Sequence, residues 1–252
     1  MDQLLQNDER LDRLISHDLS IIQSPSVFSF SLDAILLADF AQVPKHHKGK
    51  VVDLCAGNGV IGLILSQKTK SPVIGIELQE RLANMAERSI RMNNLQDQVS
   101  VIKGAIGDVS NWIPKDTVDV VTCNPPYFAA NEKSTRNPNQ HLAIARHELH
   151  TNLEEVMKVT SGLLKMNGKA YFVHRPDRLL EILETMKAHR LAPKKLRFVY
   201  PKIGKEANTI LIEAIKDGKD TGFRVLPPLI VYNEENEYLP EVSAMLFGKE
   251  SD

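Results

Sequence analysis

Several features that mark particular classes of protein are scarce or missing in this sequence. Its 252 residues include only two cysteines, Cys55 and Cys123, too few for a disulfide framework and consistent with a reducing, cytoplasmic location. No apolar run reaches the length of about 18 residues that a membrane span requires. The acidic, polar start of the chain is unlike a secretory signal peptide. The sequence therefore favours a globular protein of the cytoplasm.

An excess of one charge is also missing. The 31 Lys and Arg residues nearly balance the 32 Asp and Glu residues, and this balance by itself argues against a nucleic-acid partner. The balance hides an uneven distribution, because residues 187–205 contain seven basic residues and no acid, whereas residues 234–252 contain six acids and one Lys. A local basic region still attracts phosphate, although a solvated helix end and hairpin would look the same.

Strand and helix patterns alternate from residue 50 onward. Short apolar runs typical of buried strands, such as VVDLC, PVIGIE, VSVIK, VDVVTC and KAYFV, are separated by amphipathic segments. KLRFVYP and NTILIEAIKD then follow each other as strands, and the tail begins extended and ends helical. This order predicts a doubly wound α/β fold with helices on both faces of the sheet. The closing strand pair is similar to that of class I (Rossmann-like) methyltransferases, which implies seven mostly parallel strands with an antiparallel edge strand.

The chain divides into an N-terminal helical extension, residues 1–44, and one main domain, residues 45–252. In the extension, LDRLISHD and SLDAILLADFAQV have the apolar spacing of helices, and SIIQSPSVFSF between them is extended. Pro44 and Gly49 then interrupt the chain. Residues 128–150 show no clear strand, and long irregular segments of this kind are often functional.

The segment VVDLCAGNGVIG places Gly57, Gly59 and Gly62 directly after a predicted strand. Glycines at this position let any nucleotide-like ligand approach the backbone closely. Asp53 lies inside the strand, where a carboxylate suits a cationic group and repels a bare phosphate. Glu77, near the end of the next strand, is placed to accept hydrogen bonds from ribose hydroxyls. The pair favours S-adenosylmethionine over a dinucleotide; the alternative is a turn-capping Asp53 and a solvated Glu77.

Asn124-Pro125-Pro126-Tyr127 follows the fourth predicted strand, at the sheet edge where parallel α/β folds bind ligands. The Asn124 side-chain oxygen and the Pro125 carbonyl can accept both N–H groups of an exocyclic amine and aim its lone pair at a methyl donor. The prolines fix the backbone. Tyr127 offers a face for base stacking, worth about 1–3 kcal/mol. The alternative is a proline-rich turn with a surface Tyr.

This combination of motifs resembles the amino-methyltransferases of class I, which act on adenine N6, cytosine N4 or glutamine N5. The flanking segments FSFSLDAILLADF, IARHE, VHRPDRL and ANTILIEAIKDGK, followed by PPLIVY, resemble the tRNA(Val)-type adenine-N6 methyltransferases from about residue 10 to 247. The resemblance implies a cytoplasmic enzyme that uses S-adenosylmethionine, without a metal, to methylate the tRNA adenine beside the anticodon. The alternatives are release-factor glutamine-N5 or DNA adenine-N6 methylation and, third, a non-enzymatic RNA-binding module.

The candidate cofactor-binding residues follow the first three strands: Asp53, Cys55, Ala56, Gly57, Asn58 and Gly59; Glu77 and Leu78; and Ala105, Ile106 and Asp108. Many relatives carry an acid directly after the third strand, where it binds the adenine amine of the cofactor, but here that residue is Ala105. Either Asp108 takes this role or backbone groups near Ala105 and Ile106 do. A loop or helix-capping role for Asp108 is equally compatible with the sequence.

The candidate tRNA-binding residues are aromatic, acidic or basic: Phe28, Phe30 and Asp33; Lys133, Arg136 and Arg146; and Lys194, Lys195 and Arg197. We expect base flipping, because the target atom must reach a closed pocket. Ordinary core packing would equally explain the two Phe residues. The cysteines and histidines show no metal-ligand spacing, so no metal is expected. For assembly, the prediction is a monomer or weak homodimer.

Overall fold

A computed structural model describes residues 5–6, 8–27, 31–125 and 153–248. The N-terminal part contains two strands, β1 (Arg10–Leu14) and β2 (Leu19–Gln23), followed by helix α1 (Leu32–Phe40). The prediction of α1 is confirmed, but the predicted helix over LDRLISHD is wrong. That segment forms β1 and a short 3-10 turn, and β1 pairs antiparallel with β2. An isolated helix of this length is marginal, whereas the hairpin gains backbone pairing and a buried face.

The rest of the described chain alternates as the sequence predicts. Its elements are β3 (Val51–Leu54), α2 (Val60–Lys68), β4 (Val73–Glu77), α3 (Glu80–Met92), β5 (Val99–Lys103), β6 (Val118–Cys123), α4 (Leu153–Leu163), β7 (Leu164–His174), α5 (Leu179–Ala188), β8 (Leu191–Tyr200), β9 (Thr209–Lys216), β10 (Arg224–Val225), β11 (Leu229–Ile230) and α6 (Pro240–Phe247). Strands β3 and β6 are apolar and almost wholly buried, as expected for strands covered on both faces.

The main sheet confirms the predicted fold class. Its order is β10-β8-β9-β7-β6-β3-β4-β5, with β11 also paired to β8. Strands β3 to β9 are the seven that the fold class implies. The described sheet nevertheless has nine strands, because two further strands of two residues each, β10 and β11, pair with β8. The antiparallel strand is also not at the edge: β9 lies between β7 and β8, since the β8–β9 hairpin folds back against β7.

Two apolar layers enclose this sheet. One face packs against α1 and α2 through residues such as Leu36, Leu37 and Ile61, and the other packs against α4 and α5 through Met157 and Ile182. The N-terminal extension shares the first layer, so it has no separate core in the described structure. Strands β3, β4, β5 and β6 pair in parallel, so their carboxyl ends meet at one edge of the sheet. The direction in which the strands are added to the sheet changes between β3 and β6.

Candidate active site

The glycine turn after β3 opens a cradle at this edge. Cys55, Gly57 and Gly59 all have left-handed backbone conformations, with φ angles of 60°, 57° and 87°. At Gly59 a Cβ would lie 3.0 Å from the Cβ of Ala86, so glycine allows the turn to approach α3. At Gly57 no atom lies within 4 Å of where a Cβ would be. The turn therefore leaves backbone exposed toward open space at Gly57, as a ligand requires.

Glu77 is locked against this turn. Its Oε2 accepts a hydrogen bond from the Gly57 N–H at 2.7 Å, and its Oε1 accepts one from the Gln79 N–H at 2.9 Å. The residue is buried at the end of β4, so it is not the solvated strand end that the sequence allowed. Leu78, which follows, is 41% exposed. These two bonds hold the Glu77 carboxylate beside the open space at Gly57, at the carboxyl end of β4.

Asp53 is the most unusual group at the site. It is 0% exposed, its Oδ1 accepts a hydrogen bond from the Thr122 hydroxyl at 2.7 Å, and its Oδ2 has no hydrogen-bond partner. Burial raises the pKa of Asp53 to about 7, and the nearby Glu77 carboxylate adds to the rise, whereas the Thr122 hydrogen bond lowers it. No cap of the turn by Asp53 is seen in the described structure. A buried, half-satisfied carboxylate of this kind fits a cationic donor.

The third predicted segment lies beside Glu77. The Gly104 N–H donates to the Glu77 carbonyl at 2.9 Å, which brings Ala105 to the end of β5, next to Glu77. Ala105 precedes a 3-10 turn, Ile106–Asn111, whose first residue is buried. Asp108 is exposed on this turn and makes no side-chain cap. Ala105 and Ile106 are therefore in place beside the ligand cradle, and Asp108 faces solvent one turn away.

The catalytic motif starts at the end of the neighbouring strand. Cys123 pairs with Leu54 in the sheet register, so half-buried Asn124 and buried Pro125 emerge beside the glycine turn. Pro126 and Tyr127 lie outside the described residues. Cys55 is partly exposed and Cys123 is buried, and burial raises the pKa of the Cys123 thiol. Among the described residues, no group of three or more His, Cys, Asp or Glu side chains is placed to hold a metal.

Asn58, which the sequence predicts to bind the cofactor, has its side chain turned toward the N-terminal hairpin. Its side-chain amide is buried and donates to the carbonyl of Ile22 at 3.1 Å. The Ile22 N–H in turn donates to the hydroxyl of Ser89 on α3 at 3.0 Å. The Asn58 side chain thus ties the glycine turn to the N-terminal hairpin. Sequence reasoning also missed Thr122, although its place opposite Asp53 follows from the pairing of β3 with β6.

The predicted substrate-side residues are only partly described. Asp33, in the first turn of α1, accepts a hydrogen bond from the hydroxyl of Thr209 at 3.2 Å, where β9 begins. This contact fixes the start of α1 at the sheet edge that carries Asn124. Phe28, Phe30, Lys133, Arg136 and Arg146 lie outside the described residues.

The basic residues of β8 are paired within the chain. Lys194 donates to the carbonyls of Lys219 and Thr221, and Lys195 binds buried Glu213 at 2.8 Å. Arg197 makes two hydrogen bonds to the Glu241 carboxylate, at 2.7 and 2.8 Å. Strands β7 and β9 separate β8 from β6, a distance of about 14 Å at the usual strand spacing. The structure therefore does not bring these three cations to Asn124.

Comparison with known proteins connects this geometry to a family. The family model described as "Methyltransferase small domain" matches residues 18–161, more than half of the chain. The chain belongs to the methyltransferase small domain family. This membership confirms the methyltransferase resemblance that the sequence motifs carry. The match begins just before β2 and includes the glycine turn, Glu77 and Asn124.

Curated relatives of this methyltransferase carry a more specific name. A protein of Bacteroides thetaiotaomicron named tRNA1(Val) (adenine(37)-N6)-methyltransferase is 29% identical over 138 residues, which are 54% of this chain and 55% of the relative. A Porphyromonas gingivalis protein of the same name is 28% identical over 77% of this chain and 76% of its own length. The chain thus spans about half to three quarters of these relatives.

A solved structure supports the fold. The crystal structure of a predicted O-methyltransferase from Agrobacterium tumefaciens superposes with a TM-score of 0.67 at 21% identity, covering 87% of this chain and 98% of that one. At this identity the likeness speaks for the fold alone, which is that of the class I methyltransferases. Within the described residues, the helices are too short or too polar to cross a membrane.

Proposed function

We propose that this protein transfers a methyl group from S-adenosylmethionine to the exocyclic N6 of an adenine in tRNA. The observation that carries the proposal is the pairing of β3 with β6. This pairing sets the buried Asp53 and its glycine turn beside Asn124-Pro125. The names of the relatives support tRNA adenine as the substrate. We further propose that the target is the adenine beside the anticodon, that the protein is cytoplasmic, and that it is a monomer or a weak homodimer.

The described residues fit the cofactor in three places. The Asp53 oxygen that has no hydrogen-bond partner among the described residues suits the ammonium of the amino-acid part, the Glu77 carboxylate at the end of β4 suits the ribose hydroxyls, and the Ala105–Ile106 backbone borders the adenine side. When bound, S-adenosylmethionine supplies a methyl group activated by a positively charged sulfur. Glycine at position 57 keeps the backbone accessible between these contacts.

The chain's own catalytic contribution is positioning. The Asn124 side-chain oxygen and the Pro125 carbonyl accept the two N–H groups of the adenine amine, which draws its lone pair out of conjugation and toward the methyl donor. Tyr127 stacks on the base. Holding the two reactants in line supplies the rate enhancement without a metal. Phe28, Phe30 and Asp33 border the base, and Lys133, Arg136 and Arg146 contact the RNA backbone.

The decisive experiment follows tritium from the labelled methyl group into unmodified tRNA, with mass spectrometry of the nucleosides. We expect N6-methyladenosine with the wild type. Asn124→Ala should lower kcat by at least about 100-fold, the usual cost of losing one group that stabilises the transition state. Asn111→Ala, an exposed Asn away from the motif, is the matched control and should keep wild-type activity. Label in a release factor or in DNA, but not in tRNA, would contradict the proposal.

A further inference from the structure

The inference concerns the protonation of Asp53 and rests on the cofactor site proposed above. Asp53 is enclosed by β4 and β6, where its sheet partners are Gly75 and Thr122. One carboxylate oxygen is bonded to the Thr122 hydroxyl, and the other is buried and has no hydrogen-bond partner within the part of the chain that the structure describes. The arrangement lacks the second donor that a buried carboxylate ordinarily has.

Among the described residues, no positive charge compensates this carboxylate. The charged group of the described structure that acts on it is Glu77, a second carboxylate at the end of β4. The buried Cys123 thiol of β6 interacts electrostatically with Asp53 and hydrogen-bonds with Cys55 of the glycine turn. The first residues of α2, Val60 and Ile61, are apolar and buried. An ionised carboxylate without a cation or full hydrogen bonding is costly to bury, and such groups take up a proton instead.

We propose that Asp53 holds a proton in the cofactor-free protein and releases it when the ammonium group of S-adenosylmethionine or S-adenosylhomocysteine enters the site. Ligand binding then forms an ammonium–carboxylate pair next to the Thr122 hydroxyl, and one proton passes from the Asp53 carboxyl to the solvent buffer. The raised pKa of Asp53 agrees with this assignment. Cofactor binding and proton release are in consequence one coupled event.

The coupling predicts how cofactor affinity depends on pH. With a pKa of about 7, Asp53 is ionised in only about one tenth of the molecules at pH 6.0 and in most of them at pH 7.5. The apparent Kd rises as the binding-competent fraction falls. We expect binding of S-adenosylhomocysteine to be about eight-fold weaker at pH 6.0 than at pH 7.5.

The test is isothermal titration calorimetry of the full chain with S-adenosylhomocysteine at pH 6.0, in two buffers of different ionisation enthalpy. The dependence of the measured heat on that enthalpy counts the protons released, and we expect about 0.9 per ligand bound. The matched ligand is 5′-methylthioadenosine, which keeps the nucleoside but lacks the amino-acid part. It should bind with about zero proton release, and this comparison needs no variant.

Two variants assign the proton to one carboxylate. Asp53→Asn keeps the size of the side chain and an oxygen for Thr122, and it should abolish proton release while weakening S-adenosylhomocysteine more than 5′-methylthioadenosine. Glu77→Gln should still release most of a proton per ligand bound, although the loss of the Glu77 charge lowers the pKa of Asp53 somewhat. Equal proton release with both ligands, or none with S-adenosylhomocysteine, overturns the inference. If S-adenosylhomocysteine does not bind, both this inference and the proposed cofactor site are wrong. If it binds with proton release but the protein does not methylate tRNA, this inference holds and only the proposed substrate is wrong.

Discussion

At the scale of single residues, two carboxylates at this site have different tasks because their surroundings differ. Glu77 accepts two backbone N–H groups, so its negative charge is well supported. Asp53 accepts one hydroxyl and lies in a fully buried position. Glu77 therefore stabilises the turn and also faces the ligand. An ionised Asp53, by contrast, lowers the stability of the fold until a cation pairs with it.

The first prediction follows from the cost of ionising Asp53. Its folded pKa of about 7 lies above the unfolded value of 3.8, so its contribution to stability is full below about pH 4 and is lost as pH rises through 7. Asp53→Asn removes this loss. We expect the stability of the variant relative to wild type to rise by roughly 2–4 kcal/mol between pH 4 and pH 8. Urea unfolding at both pH values measures it, and a constant difference would contradict it.

The second prediction concerns His174, a buried residue at the end of β7. Burial first, and then the Arg178 charge, lowers the pKa of His174 to about 4 from its usual 6.5, and its Nδ1 accepts the Arg175 N–H at 2.8 Å. Its stabilising contribution is present above pH 6.5 and is lost as pH falls toward 4. We expect His174→Gln to narrow the difference in Tm between pH 7 and pH 4.5. An unchanged difference would show that His174 does not titrate in this range.

At the scale of elements, the N-terminal hairpin is held on α3 by a buried ion pair. Arg88 makes two hydrogen bonds to Glu9, at 2.6 and 2.7 Å, and their side chains are only 9% and 0% exposed. The adjacent Arg81 bonds Asp8, Ser24 and Ser26. The hairpin reaches the glycine turn through Asn58, so its docking also shapes the ligand site.

The third prediction tests this docking. Glu9→Ala removes the carboxylate that pairs with the buried Arg88 guanidinium, and breaking such a pair typically costs about 3–5 kcal/mol. We expect a comparable loss of unfolding free energy and faster hydrogen exchange in β1 and β2. Arg10→Ala, which removes the more exposed pair with Asp12 and leaves the other contacts of Asp12 in place, is the matched control and should cost no more than about 1 kcal/mol. Equal losses in the two variants would contradict a special role for the buried pair.

At the scale of the whole molecule, the formal charge of −1 gives little information about RNA binding. The run of basic residues from 187 to 205 does not act as one surface, because Arg190, Lys194, Lys195, Arg197 and Lys202 all have partners within the chain. Several of these pairs join β8 to neighbouring segments, so they hold the edge of the sheet together. RNA would have to break them to gain phosphate contacts.

The fourth prediction compares two sets of cations in tRNA methylation. We expect the combined change of Lys133, Arg136 and Arg146 to Ala to raise KM for tRNA about ten-fold and to weaken its salt dependence, because each phosphate contact releases counterions. Lys194→Ala should change KM less than two-fold. KM measured at several salt concentrations, with unchanged Kd for S-adenosylhomocysteine, separates RNA binding from cofactor binding. A larger effect at Lys194 would instead identify β8 as the RNA surface.

The sequence by itself determined the alternation of strands and helices and the residues that line the site. Strand patterns around Asp53, Glu77 and Asn124 are local, and parallel strands in α/β folds gather their carboxyl ends at one edge. This is why residues far apart in the chain were predicted to meet there. The resemblance in the flanking segments added the substrate class, which geometry does not provide.

Only the tertiary structure decided features that depend on distant partners. The segment from Arg10 to Leu14 has helix-like spacing, but pairing with β2 makes it a strand. Strand β9 lies beside β7 because the β8–β9 hairpin folds back, which no local pattern encodes. The single hydrogen bond to Asp53 and the internal pairing of Arg197 likewise depend on residues brought in by the sheet and by α6. Local propensity fixes most elements, whereas long-range packing overrides it in places and fixes the partners of the elements and the charge states of buried groups.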